Sequence, residues 1–408
     1  MGIFDKFDAT RALHNQVKSA GRDPFGVSFD EVHSPTAATL GGRAVTLFGT
    51  NNYLGLTFDA DCLHAGAAAL AELGTGTTGS RIANGTYAAH VGLERQIADF
   101  FGKSDAMVFS TGYQANLGLI STLGGKGDVL LIDADSHASI YDACRLGHAE
   151  VIRFRHNSPE DLDKRLGRLK DHEGSKIVVT EGVYSMLGDS APLREFVEVK
   201  NRHGACLVVD EAHSLGVHGP NGRGLAEAEG VLDEVDFVVG TFSKSLGAVG
   251  GFAASSVPGM EIMRVVCRPY MFTASLPPVS IATVSSALQR VSDDPSLGTR
   301  ARENGHRLYR GLSRVGFDVG PQPNPVVAVR LSDPALAAMF WNKLLEAGYY
   351  VNLALPPATP AGVALVRASV CAAHTPAQID GLIAAMVDTA RALCMDVGAP
   401  EALRIPAE

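Results

Sequence analysis

Between residues 106 and 242 the chain alternates short, nearly continuous apolar runs with longer amphipathic stretches. Six runs read as strands: AMVFST (106–111), DVLLID (128–133), EVIRFR (150–155), KIVVTEG (176–182), ACLVVDEA (205–212) and DFVVGTF (236–242). Most lack the in–out alternation of a half-exposed strand. Apolar residues on both faces are what a parallel sheet needs when helices cover each side. The segments between carry helix signals. In TYAAHVGLERQIADFF (86–101), Tyr87, Val91, Leu93, Ile97 and Phe100 form the expected apolar face. Pro192 is suited to the first turn of another helix. Alternating strand and helix predicts a large α/β domain with a mostly parallel central sheet over 52–280.

The last third changes character. PVVAVRL (325–331), YYVNLAL (349–355) and VALVRASV (363–370) read as strands, with helices at 334–347 and 376–395. These predict a smaller α+β domain over 281–408, with SLPPVS (275–280) as the hinge into it. Residues 1–51 show no sustained period. They are expected to form an irregular N-terminal arm on the small domain or a neighbouring subunit. Ile3, Phe4 and Phe7 are then buried residues rather than a membrane anchor.

Of the 408 residues, 46% are hydrophobic and 19% charged, which excludes a disordered chain. A net charge of -9 gives no basic face for nucleic acid. The six cysteines are scattered, with no CxxC pair and no metal-ligand spacing, so no metal site is expected. No apolar run reaches the roughly 18 residues needed to span a bilayer. The start MGIFDKFDAT is charged and lacks a signal-peptide core. A cytoplasmic setting is expected.

Candidate chemistry clusters after the predicted strands. GTFSKSLGAVGG (240–251) is a turn dense in Gly, Ser and Thr, whose hydroxyls and amides can cradle a phosphate. Its Lys244 can form an imine with a carbonyl carbon. Alone, such a lysine is more often a solvated surface residue. In VVDEAHS (208–214), however, Asp210 stands at a strand's C-terminal end, where α/β sheets bind ligands. A carboxylate there can hold a proton on a pyridine nitrogen, letting the ring act as an electron sink. His213 can reach the same side. STGYQANLG (110–118) opens a helix, and the amides around Gly112 and Tyr113 form an anion site at its N-terminus. DADSHASIYD (133–142) brings His137 over the same crevice. Together these point to pyridoxal 5′-phosphate.

The quartet STGYQAN, DADSHASIYD, VVDEAHSLG and GTFSKSLG resembles the α-oxoamine synthases, a family of fold-type I pyridoxal phosphate enzymes. FGTNNYLGL (48–56), GTTGSR (76–81), EGVYSMLGD (181–189), FTASLPP (272–278) and PPATPAG…LVRASVCAAHT (356–375) extend the likeness over nearly the whole chain. Such enzymes join an amino acid to an acyl-coenzyme A, releasing carbon dioxide and coenzyme A. The wording around DADSHASIYD, EGVYSMLGD and CRPYMFTASLPP is most similar to the soluble bacterial branch that joins L-serine to palmitoyl-coenzyme A, giving 3-ketosphinganine. Branches that use glycine or alanine with shorter thioesters are the alternative. An aminotransferase is less consistent with a histidine at 137.

The resemblance implies roles residue by residue. Lys244 holds the cofactor and moves the substrate Cα proton. Asp210 pairs with the ring nitrogen, His213 meets the ring oxygen, and His137 stacks on the ring. Glu181 and Ser185 support the ring, while Thr241, Ser243, Gly112 and Tyr113 surround the phosphate. Thr273 and Ala274 reach the phosphate of the other subunit of a homodimer, and Asn52 its substrate. Arg367 takes the substrate carboxylate, for which a bidentate guanidinium is suited. One departure stands out. ALPPATPAG has Leu355 where the serine-using branch carries an arginine. Leucine binds no carboxylate, so either Arg367 carries that charge alone or the substrate differs.

Overall fold

A computed structural model describes residues 2–356, 359 and 362–395. The chain divides into two compact units. One takes Leu54–Ser185 and Ser190–Thr299; the other takes the residues up to Tyr53, Met186–Asp189 and those from Arg300 onward. The expected 1–51 arm is thus counted with the C-terminal unit. SLPPVS is internal to the larger unit, because Pro278 opens a helix, Pro278–Asp293, that packs there on helix Ala60–Leu73.

Strands are numbered along the described residues. β1 (Glu31–Ser34), β2 (Ala37–Leu40) and β3 (Arg43–Leu47) form an antiparallel meander in the smaller unit. β4 (Asp105–Phe109), β5 (Val129–Asp133), β6 (Glu150–Phe154), β7 (Lys176–Glu181), β8 (Cys206–Asp210), β9 (Phe237–Thr241) and β10 (Gly251–Ser255) build the sheet of the larger unit. Its order is β4-β10-β9-β8-β7-β5-β6. β9, β8, β7, β5 and β6 run parallel, and β10 is antiparallel to both neighbours. The sheet is the mixed α/β core the apolar runs predict. β10 was not among the predicted strands: GFAAS is poor in β-branched residues. Burial of all five of its residues supplies what propensity does not.

Helix Ala88–Phe101 covers this sheet and buries Leu93, Ile97 and Phe100 as expected, together with His90, Glu94, Ala98 and Phe101. Val91, predicted to face inward, is 49% exposed. Two residues from Leu93, it lies about 200° away around the helix. Glu94 meets Arg81 of the GTTGSR turn inside the unit. Arg81 Nη1 and Nη2 donate to its two oxygens at 2.7 and 3.0 Å, and Val108 of β4 donates its N–H at 3.0 Å. The guanidinium also lies over the Tyr270 ring, 5.3 Å from its centre. One buried ion pair therefore ties a turn, a helix and a strand.

In the smaller unit, β11 (Val326–Leu331), β12 (Tyr349–Tyr350), β13 (Asn352–Ala354) and β14 (Ala364–Ser369) complete the set. The antiparallel order is β11-β14-β13, while β12 runs parallel to β3. YYVNLAL is therefore two strands, split at the fully buried Val351, whose carbonyl accepts from Trp341 Nε1 at 2.7 Å. Helices Pro334–Glu346 and Pro376–Ala392 close the core with Phe340, Trp341, Leu344, Ile379, Leu382 and Met386. The N-terminal fifty residues are not irregular, as had been expected. They hold helix Asp8–Ser19 as well as β1–β3. Only Val17 of that helix is buried, and the strands are short and rich in Ala and Thr, so neither leaves a strong period. Ile3, Phe4 and Phe7 are exposed on the single chain rather than buried.

His374 pins this unit's β3. It accepts the Cys371 N–H at Nδ1 (2.9 Å), gives Nε2–H to Leu47 O (2.9 Å) and stacks on Phe48 at 4.2 Å. Burial drives its pKa down to about 4, against the hydrogen bonds that raise it. The folded state therefore keeps His374 neutral at a pH where the unfolded chain protonates it. This contribution is present above about pH 6.5 and is lost as pH falls through about 4. It amounts to about 3 kcal/mol of stability. Urea unfolding at a series of pH values should show that loss in the wild type and a flatter slope in His374→Gln. Glu94→Ala should cost about 3–5 kcal/mol in the same assay, because it strands Arg81 as a buried charge. A value under 1 kcal/mol would contradict that reading of the pair.

Candidate active site

The C-terminal ends of β7, β8 and β9 and the helix that follows β4 meet around a cavity of about 250 Å³ in the larger unit. Parallel strands present their carboxyl ends together, so side chains just after them converge. Gly112, Tyr113, His137, Glu181, Asp210, His213, Thr241, Ser243 and Lys244 all line it. Sequence reading had placed each of them at one ligand; the structure brings them to one wall.

One end is built for an anion. Helix Gly112–Leu123 begins there, with Thr111 Oγ1 capping the Gln114 N–H at 3.1 Å. The Gly112 and Tyr113 amides are then the open donors of the first turn. Across from them, Thr241 and Ser243 share a hydroxyl contact of 2.8 Å, and Thr241 Oγ1 donates to Gly250 O at 3.1 Å. The backbones are pressed close. A Cβ on Gly112 would sit 2.6 Å from Thr241 Cβ, and one on Gly251 would sit 2.5 Å from Gly112 Cα. Glycine at both places is a packing requirement. Lys244 follows in a turn closed by Gly247 N–H to Lys244 O at 3.1 Å, and Gly247 has φ +65°.

The other end holds the carboxylates. Asp210 is 5% exposed; its Oδ1 accepts the Ala212 N–H at 2.9 Å and its Oδ2 the Asn116 amide at 2.6 Å. Glu181 Oε1 accepts the His137 N–H at 2.5 Å. Burial pushes the Glu181 carboxyl well above its ordinary range, and the Asp210 charge adds to this. The His137 pKa falls, first through burial and then through the Lys244 charge, while Asp210 opposes the shift. A neutral imidazole thus stands beside an ionic pocket. Tyr113 packs edge-on to His137 at 6.3 Å and hydrogen-bonds Asp142.

Ser185, Thr273 and Ala274 do not line this cavity. Thr273 Oγ1 accepts from Gln114 Nε2 at 3.2 Å, and Ala274 O accepts from Ser110 Oγ. Asn52 and Arg367 belong to the smaller unit, where both are buried. Arg367, on the central strand β14, donates to Asn51 Oδ1 from Nη1 and Nη2 (3.2 Å each) and to Ser369 Oγ (3.0 Å). Burial raises the Tyr53 hydroxyl to about 12 although the Arg367 charge opposes it. Leu355 is 5% exposed within that unit's apolar core. Sequence reading missed Asn116 and Ser139, which also line the cavity. Both stand inside the motifs already quoted. The signal was a polar residue on the inward face of a helix four positions after Gly112, and a serine two positions after His137.

These residues fit pyridoxal 5′-phosphate. The anion end matches its phosphate, Lys244 its aldehyde and Asp210 its ring nitrogen. Asn116 Oδ1 is buried on the cavity wall with no partner among the described residues, an acceptor awaiting a donor. No group of three or more His, Cys, Asp or Glu among the described residues could hold a metal ion.

Comparison with known proteins agrees with this chemistry. Residues 43–386 match the family Aminotransferase class I and II. The chain is 58% identical over 383 residues to the serine palmitoyltransferase of Caulobacter vibrioides (strain NA1000 / CB15N), covering 94% of this chain and 95% of that one. It is 52% identical over 394 residues to the serine palmitoyltransferase of Sphingomonas paucimobilis, covering 96% and 94%. A solved structure of SPT with its PLP internal aldimine superposes with a TM-score of 0.94 at 51% identity, over 97% of this chain and 100% of that one.

The packed glycines give a test of the anion end. Gly251→Ala should destabilise the fold by about 1–3 kcal/mol through overpacking against Gly112. Equilibrium dialysis should show weaker binding of pyridoxal phosphate, with pyridoxal lacking the phosphate much less affected. Equal losses for both would place the phosphate elsewhere.

Proposed function

The chain belongs to the class I and II aminotransferase family, in the branch of the serine palmitoyltransferases, and on that premise we propose that it joins L-serine to palmitoyl-coenzyme A. Carbon dioxide and coenzyme A leave, and 3-ketosphinganine, the first intermediate of sphingolipid synthesis, is formed. The enzyme depends on pyridoxal 5′-phosphate. The observation that carries the reading is near-full-length identity to two such transferases together with a cavity whose donors suit that cofactor.

Bound pyridoxal phosphate supplies an electron sink for the negative charge left on the serine Cα. The chain's own residues do the rest. The Gly112 and Tyr113 amides, Thr241 and Ser243 anchor the phosphate. Asp210 would hold the ring-nitrogen proton, His213 would meet the ring oxygen, and His137 would cover the ring. Glu181, which accepts the His137 N–H, would keep that imidazole in place. Lys244 would hold the aldehyde carbon and would move the proton at the serine Cα. Arg367 holds the serine carboxylate, so that the reacting bond is presented in one orientation. Leu355 leaves that task to Arg367.

The working form is a homodimer in which Thr273, Ala274 and Asn52 serve the neighbouring subunit's site. Support comes from exposed apolar side chains beside Thr273: Phe272 (67%), Val265 (58%) and Ile262 (56%). No helix of the described residues is long and apolar enough to cross a membrane. A cytoplasmic setting is consistent with six cysteines that form no disulfide.

A substrate matrix tests the reaction. Serine, glycine, alanine and threonine are crossed with acetyl-, pimeloyl- and palmitoyl-coenzyme A, and thiol release is followed. Serine with palmitoyl-coenzyme A should be fastest; glycine with a short thioester outpacing it would overturn the assignment. Lys244→Ala should lower turnover by roughly 10²–10⁴-fold, the span for loss of a positioned proton-transfer group.

A further inference from the structure

Two residues without an assigned role connect the groups that flank the cofactor. The Asn116 amide nitrogen lies 2.6 Å from Asp210 Oδ2 and 3.0 Å from Ser139 Oγ. Ser139 Oγ lies 2.7 Å from His137 Nδ1, and the Ser139 backbone N–H points at the same nitrogen from 3.2 Å. Asn116 is 2% and Ser139 1% exposed, so water does not compete for these contacts.

The direction of each bond follows from its two ends. An ionised carboxylate only accepts, so the Asn116 atom facing Asp210 is the amino group. A backbone N–H only donates, so His137 Nδ1 bears no proton. The Ser139 hydroxyl then donates to Nδ1, and its oxygen takes the second proton of the Asn116 amide. Every donor has one acceptor to turn to, and no other arrangement satisfies both ends. The imidazole proton is left on Nε2.

We infer that Asn116 and Ser139 are positioning residues that hold His137 as its neutral, Nε2-protonated form and Asp210 as an oriented carboxylate. The inference rests on the pyridoxal phosphate reading of the cavity, but it concerns hydrogen bonds already present in the chain. The effect is twofold. A neutral imidazole can lie flat on the pyridine ring without repelling a protonated ring nitrogen. Asp210, gripped on Oδ2 by Asn116 and on Oδ1 by Ala212, keeps a fixed plane towards that nitrogen. Asn116 joins the two functions, since a shift of its amide moves both.

The test uses the full chain with and without cofactor. Nitrogen-15 NMR of imidazole-labelled protein, with the His137 signals identified by their loss in His137→Gln, reports tautomer and titration directly. In the cofactor-free wild type, Nδ1 should show the unprotonated shift. Ser139→Ala should move the His137 titration up towards an ordinary histidine, and Ser139→Thr, which keeps the hydroxyl, should restore it. Asn116→Leu should weaken pyridoxal phosphate binding by roughly 10-fold or more, the equivalent of one lost hydrogen bond to a charged group. Circular dichroism and urea midpoints separate this from misfolding. A proton on Nδ1 in the wild type, or an unchanged His137 titration in a folded Ser139→Ala, overturns the inference. Wild-type protein that binds no pyridoxal phosphate would instead sink the cofactor reading, with the NMR result standing by itself.

Discussion

A charge buried at the end of a strand sets the terms for the larger unit. Asp210 is nearly sealed from water, and an ionised carboxylate tolerates that only with donors on both oxygens. The chain supplies one from its own backbone at Ala212 and one from Asn116, on the helix that also opens towards the anion end. Charges nearby adjust to it. Glu181, buried beside it, is pushed towards its protonated form, and His137 is held neutral despite the attraction of Asp210. Glu181 and His137 are therefore both pushed towards their uncharged forms beside the Asp210 carboxylate. Neighbouring titratable groups whose environments differ in this way are what acid–base chemistry in one cavity requires.

The backbone geometry that permits this is also local. Gly112 and Gly251 let the first turn of a helix lie against β9 and β10 with no side chain between. The helix then points its unsatisfied amides at the place where Thr241 and Ser243 present hydroxyls. Dense glycine in GTFSKSLGAVGG marks this arrangement in the sequence, but not its reason. Only the contacts show that the glycines belong to packing between segments more than a hundred residues apart.

Much of the large sheet was legible because its strands are buried on both faces and so read as continuous apolar runs. β10 was not, since GFAAS owes its place to neighbours rather than to its own residues. Val91 misled because an apolar residue two places from Leu93 cannot share its face on a helix. The N-terminal helix and meander left little trace, as short elements with one buried helical residue need no strong period. At the site, Lys244, Asp210, His213 and His137 were readable from strand ends and motif order, and all four line the cavity. Asn116 and Ser139 were not, because their work is to hold other side chains, and which side chains they reach depends on packing.

Leu355 shows how a single departure is absorbed by its surroundings. In the smaller unit it is a core residue, in one cluster with Phe340 and Trp341. A guanidinium placed there would need partners that an aliphatic cluster does not offer. Arg367 is the opposite case: a buried cation on the central strand, fixed in plane by Asn51 and Ser369. Those two oxygens are neutral acceptors that orient the guanidinium. With Leu355 taking the apolar role, the proposed reaction would leave the substrate carboxylate to Arg367.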